Sequence, residues 1–344
     1  MKKIFAFALA TAAVLSCSKT ETTFNQSEEI TFMPVSRIES RAAVQGTNYT
    51  ASQNFYVFAN TTENQAYFTK VEFTPLSGTG SQTSAGLKIY TGSPAQYWPN
   101  VKALKFAGYT ASGNTATAAN TLAADFSTLT VTAYEQPIPI LAANNDLMYF
   151  FIDNNGEGYT KGTDVVSPVM NHACSWLTIN MMADASLVTY WKDLTVKSVK
   201  LLNVADKGNV TFKDDNDDPV EWSNLTYVGT PVDEKYYTNV LDRPKALTTS
   251  NQEFANVENN TIVIPQAAKK LYVTYSYQTP TDTDAATVLI EETKEINLAT
   301  YTPNWAAGVH YTYNLTVTAE EIKIAPTSTT WDGPVTTPIP TPQQ

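Results

Sequence analysis

Along most of this chain, apolar residues recur at every second position. In Leu271–Tyr277, residues Leu271, Val273, Tyr275 and Tyr277 fall on one face, with Tyr272, Thr274 and Ser276 on the other. A period of two is the mark of a half-buried strand in an antiparallel sheet. Similar runs are predicted at Phe55–Ala59, Tyr67–Phe73, Val101–Tyr109, Leu129–Tyr134, Leu147–Ile152, Trp176–Met181, Leu194–Leu202, Asn209–Lys213, Thr261–Ile264, Thr287–Ile290 and Val309–Ile324. No helical pattern exceeds two turns. Clusters such as Ser77-Gly-Thr-Gly80 and Asp153-Asn-Asn-Gly156 punctuate the runs as turns. Many short strands so separated predict an all-β protein built of β-sandwiches. A strand ends at Met182 and a fresh run starts at Leu194, so a division is expected within Asp184–Trp191, giving sandwiches over 42–188 and 189–333. The stretch 334–344 carries Pro334, Pro338, Pro340 and Pro342 and is expected to be an extended tail outside any sheet.

The start of the chain departs from this pattern. Lys2 and Lys3 precede an apolar run from Ile4 to Leu15, and Val14-Leu-Ser-Cys17 reads as a small-residue cleavage site. The run is too short to span a bilayer and predicts a signal peptide over residues 1–16. A cysteine just after the cut is the pattern of a bacterial lipoprotein, with Cys17 carrying a diacylglycerol and a further acyl chain on its amine. Two or more acyl chains hold a protein stably at a membrane without crossing it.

Composition narrows the classes further. The formal net charge is −11, and loss of Lys2 and Lys3 makes it two units more negative. With no basic patch to release counterions, nucleic acid and anionic lipid are poor partners. Beyond Cys17 the one cysteine is Cys174, so no intrachain disulfide is expected in the exported protein.

Catalytic chemistry is thinly represented, and neither an enzyme nor a cofactor is expected. The two histidines, His172 and His310, are far apart, and no nucleophile elbow, phosphate loop or zinc-protease motif occurs. His172 and Cys174 are two apart and could offer half a metal site, but a core position with a buried thiol is the plainer reading. Asp153, Asn155, Glu157 and Asp164 fall at positions 1, 3, 5 and 12 of a calcium loop, with Gly158 at the sixth. Lys161 at position 9 and the strand-like flanks favour a solvated loop, so no metal site is assigned. The acidic run Asp214–Asp218 has Pro219 at the glycine position.

Arginine is rare: apart from Arg243, only Arg37 and Arg41 occur. They follow Glu29–Val35, a short alternating segment with Ile30 and Phe32 on one face. A strand followed by an arginine loop offers a cut site to an arginine-specific protease; a solvated turn is the alternative.

A series of stretches runs through the chain in order: Leu15-Ser-Cys-Ser-Lys19, the Ile-Thr-Phe strand before Arg37, Phe55-Tyr-Val-Phe-Ala59, Tyr97-Trp-Pro99 leading into Leu104–Tyr109, and Asp146-Leu-Met-Tyr149. Further on come Met170-Asn-His-Ala-Cys-Ser175, Val196–Val204 and Trp331-Asp-Gly333. Together they resemble the fimbrillin family, the pilus subunits of Bacteroidales bacteria. Cys174 stands where the family usually has Leu. The resemblance implies two transthyretin-like antiparallel β-sandwich domains in tandem, non-enzymatic, behind a lipidated leader over 17–41. It implies an outer-membrane precursor anchored through Cys17, cleaved after Arg37 or Arg41, then carried in a surface fimbrium. The cut would release the strand holding Ile30 and Phe32, and the vacated groove would take a strand from another pilus subunit.

The tail is apolar only at Val335 and Ile339 beyond Trp331, which favours a tip or minor subunit, with a host or bacterial surface ligand expected, over a stalk subunit. Two rival readings are an anchor subunit that keeps its leader and a surface glycan-binding lipoprotein. For the latter, Trp98, Trp222 and Trp305 beside turn signals are the candidate sugar platforms.

Overall fold

The computed structural model describes residues 28–36, 53–77, 88–136, 146–163, 165–215, 219–226, 236–238, 245–254, 261–280, 287–330 and 336–337. Over these the chain is all-β, with one helical turn at Leu187–Tyr190 and a 3-10 turn at Leu298–Thr300.

The first sheet runs, in spatial order, Thr31–Phe32, Tyr90–Ser93, Ala66–Pro75, Phe55–Thr61, Leu104–Thr110, Met148–Ile152, Val169–His172 and Val35–Ser36. Its two outermost members belong to one short segment, so residues 28–36 close the sheet on itself. Every residue of Phe55–Thr61 is buried. One face of that strand, with Phe55 and Val57, joins Phe73, Phe106 and Phe150 in a core inside the closed sheet. Its other face, with Tyr56 and Phe58, packs toward a second sheet. A strand covered on both sides explains the unbroken apolar run Phe55-Tyr-Val-Phe-Ala59.

The second sheet contains Ala119–Leu122, Thr128–Glu135, Lys207–Lys213 and Val220–Thr226. Phe212 anchors it, stacking on Tyr149 of the first sheet with centroids 4.7 Å apart and planes 4° from parallel.

Two further sheets form the other sandwich. One is centred on Ser175–Ala183 and Val309–Val317, and the other on Lys192–Leu202, Lys270–Pro280 and Thr287–Asn297. Leu177, Ile179, Met181 and Leu315 meet Val196, Val199, Val273 and Tyr275 in their common core. Trp305 donates its indole N–H to the Tyr313 hydroxyl at 2.8 Å within it.

Among the described residues the strands pair antiparallel except Val169–Met170 beside Val35–Ser36 and Ser175–Ala183 beside Val309–Val317, which are parallel, as is the single bridge between Phe32 and Val166. Sheet membership does not switch at the expected 188/189 division. Ser175–Ala183 lies beside Val309–Val317, and Lys207–Lys213 lies beside Thr128–Glu135. The expected single run Val309–Ile324 is two strands, because Thr318 turns the chain. Its hydroxyl accepts from Glu321 N at 3.0 Å and its N–H donates to Glu321 O at 2.9 Å. The tail was expected outside any sheet, yet Thr336–Thr337 pair with Ser328–Thr329 at a sheet edge; its prolines lie outside the described residues.

Candidate functional site

The segment 28–36 is held from both sides. Toward one edge, Ile30 N–H donates to Gln96 O at 2.7 Å and Glu28 O accepts from Trp98 N at 3.0 Å. Thr31 and Phe32 then continue antiparallel to Thr91 and Tyr90. Toward the other edge, Met33 N–H donates to Val166 O at 2.8 Å, Val35 N–H donates to Pro168 O at 3.0 Å, and Thr31 O accepts from Val166 N at 3.0 Å. The segment alternates as its sequence predicts, with Ile30, Phe32 and Pro34 buried and Thr31, Met33 and Val35 half-buried.

Phe32 is fully buried at the centre of the closed sheet. Its ring meets Phe55, Phe73 and Phe106 edge-on, at centroid distances of 5.9, 4.8 and 5.2 Å, and lies 6.2 Å from Phe150. Edge-to-face contacts of this kind add to the area buried. Taking the segment away would open two strand edges beside an aromatic cleft, a template for adding an extended peptide.

The other residues singled out in the sequence fall elsewhere. Cys17, Arg37 and Arg41 lie outside the described residues. His172 gives its Nδ1 to the Asp146 carboxylate, a part-buried pair. Cys174 is fully buried, and burial, aided by the Asp146 charge, pushes its thiol pKa well up. The Asp153 loop folds on itself, with Gly158 N–H donating to Asp153 O at 2.7 Å; Asp164 is outside the described residues. Among the described residues no group of three His, Cys, Asp or Glu side chains is placed to hold a metal ion. Of the candidate sugar platforms, Trp98 and Trp305 are core residues and Trp222 donates its indole N–H to Ala173 O at 2.9 Å, so they form no exposed aromatic face.

Sequence reasoning placed Ile30 and Phe32 inward but missed the second edge. Val166–Met170 carries no strong strand pattern, and nothing local reports a parallel partner so far along the chain. The four-phenylalanine surround was also missed, though the aromatic spacing of Phe55, Phe73, Phe106 and Phe150 hints at one shared face.

A family profile described as fimbrillin-like matches residues 40–331. The chain belongs to the fimbrillin-like family. No curated protein matches it. Among solved structures, this fimbrillin-like chain is similar to a fimbrial protein from Bacteroides vulgatus, at 17% identity, with 88% of this chain and 100% of that one covered and a TM-score of 0.57. It is also similar to a candidate cell adhesion protein from Bacteroides uniformis, at 16% identity, with 88% and 98% covered and a TM-score of 0.51. These two likenesses carry the fold. Membership of the family supports a structural role as a pilus subunit at the cell surface, rather than an enzymatic one.

Proposed function

We propose that this fimbrillin-like chain is exported as a lipoprotein on Cys17, cut after Arg37 or Arg41, and assembled into a fimbrium by exchanging its leader strand for one from another subunit. The observation that carries the reading is the double pairing of residues 28–36 with Ile30 and Phe32 fully buried. The outer membrane holds the precursor through its lipid until an arginine-specific protease acts. In this reading the units 42–188 and 189–333 follow the leader, and Lys207–Lys213 of the second pairs with Thr128–Glu135 of the first.

Energetics favour a filled groove. Burying Ile30 and Phe32 is worth roughly 1.5–3 kcal/mol each, a sizeable share of the ~5–15 kcal/mol that stabilises a domain. An empty groove is therefore unstable, and a refilled one long-lived. The poor apolar content of the tail favours a tip or minor subunit, which needs to receive a strand but not to donate one, and whose free end would meet a surface ligand.

Treating purified precursor with an arginine-specific protease, and sequencing the N-terminus of surface-extracted protein, tests the proposal. A mature start at Ile38 or Ala42 is expected. Intact, lipidated Cys17 in every surface copy would overturn it.

A further inference from the structure

We infer that the groove occupied by residues 28–36 refuses this chain's own C-terminal tail and takes its strand from a different polypeptide. That strand carries a large apolar or aromatic side chain at the place of Phe32 and free N–H groups one and three residues later. The inference rests on the strand-exchange reading and adds to it the identity of the partner.

Two requirements follow from the bonds the leader makes. Inward positions 30, 32 and 34 fill the aromatic cleft, and position 32 must satisfy four phenylalanine rings at once. Outward positions 33 and 35 supply the N–H groups that Val166 O and Pro168 O accept. The leader's own proline, Pro34, sits inward, where the Val166–Pro168 edge asks for no N–H.

No register of the tail meets both requirements: with Thr336 or Pro338 at the place of Phe32 the two N–H groups are kept, but no large side chain meets the four rings. Its apolar residues Val335 and Ile339 alternate with its prolines. With Val335 at the place of Phe32, Pro338 falls on Val35 and that bond is lost. With Ile339 there, Pro340 falls on Met33 and Pro342 on Val35, so both are lost. With Thr337 there, Pro338 and Pro340 take the same two places and a threonine faces the four rings. Trp331 is large enough, but its register puts Pro334 on Val35 and pulls Thr327–Thr330 out of their ladder with Val309–Thr312. Reversing the tail changes nothing essential: with Val335 and Ile339 inward, all four prolines face outward and one edge of the groove loses donors. Thr336–Thr337 are moreover already paired with this chain's own Ser328–Thr329. A strand from another polypeptide need carry none of these prolines, so residues 331–344 of one copy do not fill this groove in another.

The test uses the full precursor nicked by an arginine-specific protease, with the leader displaced in mild urea by excess labelled peptide. Three peptides are compared: residues 28–36, the same with Phe32→Thr, and residues 331–344. The leader peptide is expected to be retained. The Phe32→Thr peptide and the tail peptide should each bind about 100-fold more weakly, the scale of emptying an aromatic core site. A tail peptide carrying Thr337→Phe, Pro338→Thr and Pro340→Thr should recover most of the difference. If the native tail peptide binds as well as the leader peptide, the selectivity is overturned while strand exchange stands. If not even the leader peptide is retained, no exchangeable groove exists and both readings fall.

Discussion

The imidazole of His310 lies flat on the indole of Trp176, with ring centroids 3.8 Å apart and planes 5° from parallel. Its Nε2 lies 2.9 Å from the Thr178 hydroxyl. Burial lowers the His310 pKa from 6.5 to about 4. Below pH 6.5 the unfolded chain therefore binds a proton that the folded chain refuses. The stabilising difference is complete above about pH 6.5 and is lost as pH falls toward 4, with an upper bound of about 3 kcal/mol. Urea denaturation across pH 4–7 should show this slope, and His310→Phe should flatten it relative to the native protein.

Phe32 fills the cleft on which the functional reading depends. Phe32→Ala in the full chain should lower stability by about 3–5 kcal/mol, whereas Phe32→Leu should cost under about 1.5 kcal/mol. Denaturation midpoints of the two variants measure this. Equal, negligible effects would mean that the leader contributes nothing to the fold.

Gly108 lies on the central strand Leu104–Thr110, where a Cβ would stand 2.5 Å from Tyr56 O and 2.6 Å from the Phe150 ring. The backbone oxygen cannot yield as a flexible side chain would. Gly108→Ala should therefore destabilise the protein by about 2–3 kcal/mol, measured as a fall in Tm.

Cys174 is enclosed, and its thiol is held protonated by burial. The thiolate is the reactive form, so in the Cys17→Ser chain a water-soluble thiol reagent should leave folded protein unlabelled and label one site per chain on unfolding. Labelling of native protein at neutral pH would show that this core opens.

Much of the fold was legible where one side of a strand faces water. Leu271–Tyr277 reads largely correctly because Leu271, Val273, Tyr275 and Tyr277 are buried while Tyr272 and Thr274 are half-buried; Ser276, expected on the outward face, is buried as well. The outer strand Thr287–Asn297 was read only as far as Ile290, since Glu291, Glu292, Lys294 and Glu295 resemble a loop. In place they serve the sheet: Glu292 accepts from Tyr277 at 2.9 Å and pairs with Lys294 at 2.9 Å. The run Val101–Tyr109 was read as one strand, yet Val101 is 94% exposed and the strand starts at Leu104. At the candidate site, Ile30 and Phe32 were legible from alternation alone. Their neighbours were not, because closure of the sheet joins Tyr90–Thr91 and Val166–Met170, segments that no local pattern links.

Closure of the first sheet also orders the events of folding. Residues 28–36 come early in the chain and wait for partners made far later, since Val166–Met170 must arrive before they can settle. Contacts so distant along the chain are slow to form. The first half of the chain is thus complete before its sheet can close, and residues 28–36 stay unpaired for that interval, reachable by whatever machinery handles them.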